Sequence, residues 1–206
     1  MLEPVKYLLQ HQRIILASSS PRRREILTSL GLAFEVCTSL YEEDLDPYQF
    51  DNPADYVVET AFNKVNEVST RLQAQPNQPD LIIGADTAVV LDGKIFGKPN
   101  NKETAFHMLE QLSGRSHTVV TGVVLQSKTK TVKFHESTKV FFAPLTSKII
   151  KAYIDTGEPM DKAGGYGIQG LGGSLVEKIE GDYFNVMGLP LHHLCKEILQ
   201  LYECLQ

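Results

Sequence analysis

Along this chain, short runs of continuous apolar residues alternate with stretches in which apolar positions recur every three or four residues, and the alternation predicts strands and helices in turn. "RIILAS" at 13–18 reads as a buried strand. The next stretch, "SPRRREILTSLG", reads as a helix with Ser20 as N-cap, Pro21 at its first position and Gly31 as its stop. With a strand at "AFEVCTS", this makes a β-α-β start. Asp51 as N-cap and Pro53 introduce a long helix, "PADYVVETAFNKVNEVSTRL", whose apolar stripe runs Val57, Ala61, Val65, Val68. Lys64 follows Ala61 by three residues and precedes Val68 by four, which places it on the buried side of that helix, where a lysine needs an anion.

Further on, "DLIIGADTAVVLDGKIFGKP" reads as a near-continuous apolar strand, an Asp92-Gly93 hairpin turn and a return strand. A helix at "KETAFHMLEQL" ends at Ser113-Gly114, and "TVVTGVVLQ" with "KFHESTKVFFA" makes a longer hairpin. "TSKIIKAYIDTG" is another helix, and "PLHHLCKEILQLYECL" a C-terminal one. Between them, the tract from Gly157 to Pro190 holds most of the clustered glycine, so backbone there approaches something closely. The class is α/β with a mixed sheet. "QAQPNQPD" at 73–80 is the most loop-like stretch and too short for a domain linker, so one domain over 1–206 is expected, with 1–12 as a short N-terminal extension.

Composition narrows the function classes. A chain of 206 residues with 42% hydrophobic content supports one sizeable core, and a net charge of -5 excludes the overall basic field of a sequence-independent nucleic-acid binder. No apolar stretch reaches the length of a membrane span, and "MLEPVKYLLQHQR" lacks the core and cleavage site of a signal peptide, so no membrane association and a cytoplasmic location are expected. Cys37, Cys195 and Cys204 are odd in number and lack metal-type spacing, which reads as free thiols. The six histidines form no H-x-x-x-H pair, and His192-His193 lies in an apolar-periodic helix, so no zinc site is expected.

Several residues stand out for chemistry. Arg22, Arg23 and Arg24 crowd the first turn of a helix, where each exposed cation costs roughly 0.3 to 1 kcal/mol against the helix dipole. Amides at a helix start attract anions, and forked guanidinium donors match phosphate oxygens, with the hydroxyls of Ser18 to Ser20 at the same turn. A solvated basic turn is the plain alternative. Asp86 sits within the apolar strand "LIIGADTAVVL", where an unpaired carboxylate costs several kcal/mol as an order of magnitude, so it is hydrogen-bonded, ion-paired, metal-bound or at a cleft; the plain alternative is a structural carboxylate that caps a loop or pairs with one inward lysine. Gly84 lies on the same side of the strand and leaves room for a ligand beside it. Counting outward from Asp92-Gly93 pairs Leu91 with Lys94 and Thr87 with Lys98, which puts Lys98 on the Thr87 face and reads as a surface lysine unless a bulge at Gly97 resets it. The acidic run "YEEDLD" at 41–46 reads as a solvated loop at Glu42, Asp44 and Asp46, though one member of the run is able to share a divalent metal with Asp86. "GYGIQG" at 165–170 satisfies G-x-G-x-x-G but lacks the preceding strand and following helix that a nicotinamide site needs. Its Gln169 carries a donor and an acceptor suited to a flat polar ring.

Taken together and in this order, "LASSSPRRREIL", "GADT", "GKP", "ESTKVFF" and "GEPMDKAGGYGIQGLGG" resemble the Maf family of nucleotide pyrophosphatases, from about Arg13 to near the C-terminus. They are also similar to the Maf domain that some animal proteins carry ahead of an O-methyltransferase-like domain. The resemblance implies a Maf/ITPase-like fold, a mixed β-sheet flanked by helices forming two lobes around a central cleft. It implies hydrolysis of a nucleoside triphosphate to the monophosphate and pyrophosphate with a divalent metal, magnesium or manganese, and a homodimer. By the family's pattern Asp86 is the catalytic carboxylate and proton acceptor, Ser18, Arg23, Lys64 and Lys98 line the phosphate site, and Glu43 with Asp86 holds the metal. At Arg22, Thr87 and Gln169 the chain resembles the branch preferring dTTP and UTP. A nucleotide-binding regulator without hydrolysis is the rival from another class; the presence of the acid, the lysines and the arginines together speaks against it.

Overall fold

The computed structural model describes residues 1–203; Cys204 lies outside the described residues. The chain forms two compact units, the first Met1–Asp86, Thr121–Glu136 and Gly188–Gln206, the second Thr87–Val120 and Ser137–Met187.

In the first unit, a turn at Glu3–Val5 and helix α1 (Lys6–Leu9) precede strand β1 (Ile14–Leu16), helix α2 (Pro21–Ser29), strand β2 (Glu35–Val36) and helix α3 (Pro53–Leu72). Strand β3 (Leu81–Leu91) follows, and helix α7 (Leu191–Glu203) comes last. β1 lies parallel to both neighbours, Ile15 opposite Glu35 of β2 and opposite Ile82 of β3. β2 is far shorter than "AFEVCTS", because it is the edge of the sheet and both its residues are exposed, with no apolar surface to extend the pairing. The N-cap of α3 is Asn52 rather than Asp51: Pro53 occupies the first helical position, so the residue directly before it caps, and the Asn52 side chain accepts from the Ala54 N–H at 3.0 Å.

The stripe Val57, Ala61, Val65 and Val68 is 0% exposed, and most of it joins Ile15, Ala17, Ile82 and Val124 in one apolar cluster. Two glycines let α3 come this close. A Cβ on Gly84 would strike the Val65 side chain and stand 3.2 Å from the Ala61 carbonyl; one on Gly122 would stand 2.5 Å from Val57 C and Val58 N. The space beside Gly84 is therefore filled by α3 and holds no ligand, contrary to the expectation from sequence.

The second unit takes up β3 from Thr87, turns at Asp92 (φ 51°) and Gly93 (φ 76°), and returns in strand β4 (Lys94–Phe96) with Leu91 opposite Lys94 and Val89 opposite Phe96. Helix α4 (Lys102–Leu112), strands β5 (Ser116–Ser127) and β6 (Thr131–Phe142), helix α5 (Ser147–Asp155), strand β7 (Val176–Glu180) and helix α6 (Tyr183–Met187) follow. β7 runs antiparallel to β6, and seven strands make one mixed sheet in the order β2-β1-β3-β5-β6-β7, with β4 on β3. The core of this unit gathers Val89, Phe96, Leu109, Leu112, Val140, Phe142, Ile150, Ile154 and Tyr166. Among the described residues no helix is long and apolar enough to cross a membrane.

A titratable ring sits inside this second core. His117 is 2% exposed, its Nε2 lies 2.7 Å from the Tyr166 hydroxyl, and it meets Phe142 and Tyr166 edge to face. Burial pushes its pKa from 6.5 down to about 4, so the native ring is neutral while the unfolded one takes a proton below 6.5. The stability tied to a neutral His117 is fully present above that range and is lost as pH falls toward 4. Between about pH 7.5 and about pH 5 it amounts to about 2 kcal/mol at 1.36 kcal/mol per unit. Urea unfolding of wild type and His117→Gln at the two pH values checks this; equal pH dependence in both refutes it.

Candidate active site

The site residues of the first unit are assembled by three elements. At the end of β1, the Ala17 N–H donates to the Ile83 carbonyl at 2.8 Å, and the chain then leaves the sheet at Ser18, which is 8% exposed. Ser18 Oγ accepts from the Ser20 N–H at 3.2 Å and from Arg23 Nη1 at 3.1 Å, while Arg23 Nε donates to the Gly188 carbonyl at 2.8 Å. Ser20 stands at the N-cap of α2 without a side-chain cap hydrogen bond, and Pro21 follows it. Of the three arginines, Arg24 is exposed, whereas Arg22 and Arg23 are half-buried. Arg23 thus ties the turn to the C-terminal segment as well as supplying charge. Burial pushes its guanidinium below the usual range, Asp86 opposes that fall and Arg22 adds to it.

Asp86 is 9% exposed and lies two residues beyond Gly84, so it faces the same helix that Gly84 admits. There Lys64 Nζ donates to Asp86 Oδ1 at 2.7 Å. The same ammonium meets Glu43 Oε1 at 2.6 Å. The inward lysine has its anion, and in fact two. Tyr56, two turns before Lys64 on α3, feels both carboxylates: burial first, then Asp86 and Glu43, raise its phenol.

Glu43 belongs to the acidic run, and the rest of that run does something else. Asp44 accepts from the Tyr41 hydroxyl at 3.0 Å, and Asp46 caps the turn Pro47–Gln49 through the Tyr48 N–H at 3.0 Å. The loop is fastened to α3 by residues that sequence reasoning missed. Glu67 accepts from Ser39 Oγ at 3.1 Å and from the Leu40 N–H at 2.9 Å, Arg71 donates to the Thr38 carbonyl at 2.8 Å, and Asn63 Nδ2 donates to the Tyr41 hydroxyl at 3.4 Å. Their signal was present: 63, 67 and 71 are spaced by four and share one helix face.

Thr87, Lys98 and Gln169 belong to the second unit. Thr87 is half-buried on β3 next to Asp86, on the opposite side of the strand. Lys98 is exposed, and the pairing counted from the turn holds only to Phe96, where β4 ends; Lys98 therefore lies on a loop and not opposite Thr87 in a ladder. The Gly164 N–H donates to the Gly97 carbonyl at 3.0 Å, which joins the loop of Lys98 to the glycine tract that carries Gln169. Gln169 is exposed, and "GYGIQG" is flanked by the turns Ala163–Gly165 and Leu171–Leu175 instead of a strand and an α-helix. Cys37 and Cys195 are free thiols. His193 packs on Phe134 with Nδ1 3.0 Å from Glu136.

A lysine shared by two carboxylates, with the half-buried Arg23 near enough to feel the charge of both, brings acids and cations together beside the start of α2. Residues 13–201 match the Maf family, described as Maf-like protein, and the chain belongs to that family. It is 49% identical over 98% of its length to a Homo sapiens protein named "Probable bifunctional dTTP/UTP pyrophosphatase/methyltransferase protein". The chain spans 34% of the length of that relative. It is 46% identical to a dTTP/UTP pyrophosphatase of Bacillus anthracis, over 92% of this chain and 95% of that one. Among solved structures it is similar to the Ham1 protein of Staphylococcus aureus, with a TM-score of 0.40 and 16% identity over 64% of this chain and 72% of that one.

Proposed function

We propose that this protein hydrolyses dTTP and UTP, modified pyrimidine nucleotides included, to the monophosphate and pyrophosphate. The observation that carries the reading is the Lys64 ammonium held at 2.7 Å from Asp86 and 2.6 Å from Glu43. The oxygen of a water bonds to the α phosphorus, the bond from that phosphorus to the α–β bridging oxygen breaks, pyrophosphate leaves with the bridging oxygen, and a proton of the water passes to the Asp86 carboxylate. Lys64, bound to Oδ1, fixes the orientation of that carboxylate. Ser18, Arg22 and Arg23 hold phosphate oxygens at the start of α2, so the cations that the helix dipole disfavours are compensated by a triphosphate. Lys98 steadies the leaving pyrophosphate, and Arg22, Thr87 and Gln169 select the pyrimidine.

Two carboxylates that reach one ammonium can reach one metal ion. Glu43 and Asp86 offer hard oxygen donors, and magnesium or manganese is bound through one or two such groups together with substrate phosphates. Among the described residues no three His, Cys, Asp or Glu side chains are placed to hold one metal ion together, so phosphate and water would complete the coordination. Bound there, the cation would supply positive charge against the phosphate oxygens. The free thiols and the net charge of -5 support a cytoplasmic enzyme that does not bind nucleic acid, and the family resemblance supports a homodimer.

The test is a nucleotide panel with magnesium or manganese, scoring monophosphate and pyrophosphate together. The expected result is pyrophosphate from dTTP and UTP ahead of CTP, GTP, ATP and 7-methyl-GTP. Tight nucleotide binding with no pyrophosphate from any of them would make the protein a binding regulator instead.

A further inference from the structure

One half-buried carboxylate of the second unit has no part in the chemistry above. Glu158 follows Gly157 at the start of the turn Glu158–Asp161. Its Oε2 accepts from the Leu171 N–H at 2.9 Å, and its Oε1 accepts from the Gly172 N–H at 2.9 Å and from the Tyr153 hydroxyl at 2.9 Å. Tyr153, 6% exposed on α5, in turn accepts from the Gly167 N–H at 3.2 Å. Three amides, two residues before Gln169 and two and three after it, are thus gathered on one carboxylate, directly or through one hydroxyl.

The loop follows Glu158 so closely that a side chain on Gly167 or Gly170 would have to push the Glu158 or Lys162 side chain aside. A Cβ on Gly170 would stand 2.5 Å from Glu158 Oε2, and one on Gly167 2.6 Å from Lys162 Cε, whose Nζ donates to the Glu158 carbonyl at 2.7 Å. Burial alone would raise the Glu158 carboxyl, but the N–H groups of Gly172 and Leu171 and the Tyr153 hydroxyl outweigh it and hold the group below its usual value, as a carboxylate. Glycine-rich backbone is costly to order, and this cradle orders it around the exposed Gln169.

We infer that Glu158 is a specificity-positioning residue: by gathering the amides on both sides of Gln169 it fixes how that side chain meets the nucleotide base. The inference rests on the proposed reading of Gln169 as base-selecting. An amide discriminates between bases only if its donor and acceptor are held in place, since a freely turning one offers either group to any ring.

The experiment is a double-mutant cycle with Glu158→Gln and Gln169→Ala, measuring kcat and KM for dTTP and GTP. Glu158→Gln faces one of the two backbone N–H groups with an NH2. Its expected effect is a loss of about 10-fold to 100-fold in the preference for dTTP, carried by KM rather than kcat. The double variant is expected to be no less selective than Gln169→Ala alone. Losses that add in the double variant, or that fall equally on both nucleotides, would make Glu158 a purely structural residue and overturn the inference. If Gln169→Ala leaves the preference unchanged, the base-selecting reading falls and takes this inference with it. If Gln169→Ala changes the preference while Glu158→Gln does not, the inference alone falls. Should Glu158→Gln fail to fold, Tyr153→Phe, which removes the hydroxyl between Gly167 and Glu158, is expected to shift the preference the same way by a smaller factor, and no shift would count against the proposal.

Discussion

Asp86→Asn is expected to lower the rate of pyrophosphate release by about 1,000-fold, within the usual range for losing a general base, while the protein still folds. Asparagine keeps the shape of the side chain and an oxygen able to accept from Lys64 at 2.7 Å, so geometry is spared. What is lost is the basic oxygen that takes the proton of the attacking water. Breaking a buried ion pair is ordinarily expensive because it strands a charge. Here Glu43 stands 2.6 Å from the same ammonium and keeps Lys64 compensated, so the unfolding midpoint should move little. Single-turnover kinetics with dTTP, beside a urea melt, separates the two effects. Normal turnover in Asp86→Asn would remove Asp86 as the proton acceptor.

The pair at the heart of this site was half legible in the sequence. Helical spacing alone turned Lys64 inward, and the cost of a carboxylate in an apolar strand alone demanded a partner for Asp86. An inward lysine was one of the partners open to Asp86, but nothing local chose Lys64, 22 residues away, over a loop, a metal or a ligand. Periodicity reports which side of an element is covered and is silent about what covers it. The same silence explains Gly84: a missing side chain marks space in a strand, and the space turned out to hold Val65 and the Ala61 carbonyl. Within the acidic run, composition could not choose among neighbours, because what distinguishes Glu43 from Asp44 and Asp46 is the course of a loop tied down by Glu67, Arg71 and Asn63; only the family pattern pointed to it. Lys98 shows a different limit. The register from Asp92-Gly93 was right as far as Phe96, and a residue count carries no signal for where a ladder stops. The helix start was read correctly at Pro21, yet only the structure separates the outward Arg24 from Arg22 and Arg23.

Gly122→Ala is expected to cost about 3 kcal/mol or more, the upper part of the range for overpacking, against a total stability on the order of 5 to 15 kcal/mol. The added methyl would stand 2.5 Å from Val57 C and Val58 N and 2.6 Å from Val57 O. These are backbone atoms in the second turn of α3, and no rotamer change moves them aside, whereas at Gly84 the first atom struck belongs to the side chain of Val65. Relief therefore requires α3 to lift as a body, and Val57, Ala61, Val65 and Val68, all 0% exposed, would lose contact with the strands together. Lys64 rides on the same helix, so the fraction that still folds should also lose the 2.7 Å contact with Asp86 and with it most of its activity. Gly97→Ala is the matched comparison: it meets nothing within 4 Å and should change stability by less than about 1 kcal/mol. Urea midpoints of the two variants measure the difference directly. Equal midpoints would mean that α3 yields at little cost, and that its distance from the sheet is not what holds Lys64 to Asp86.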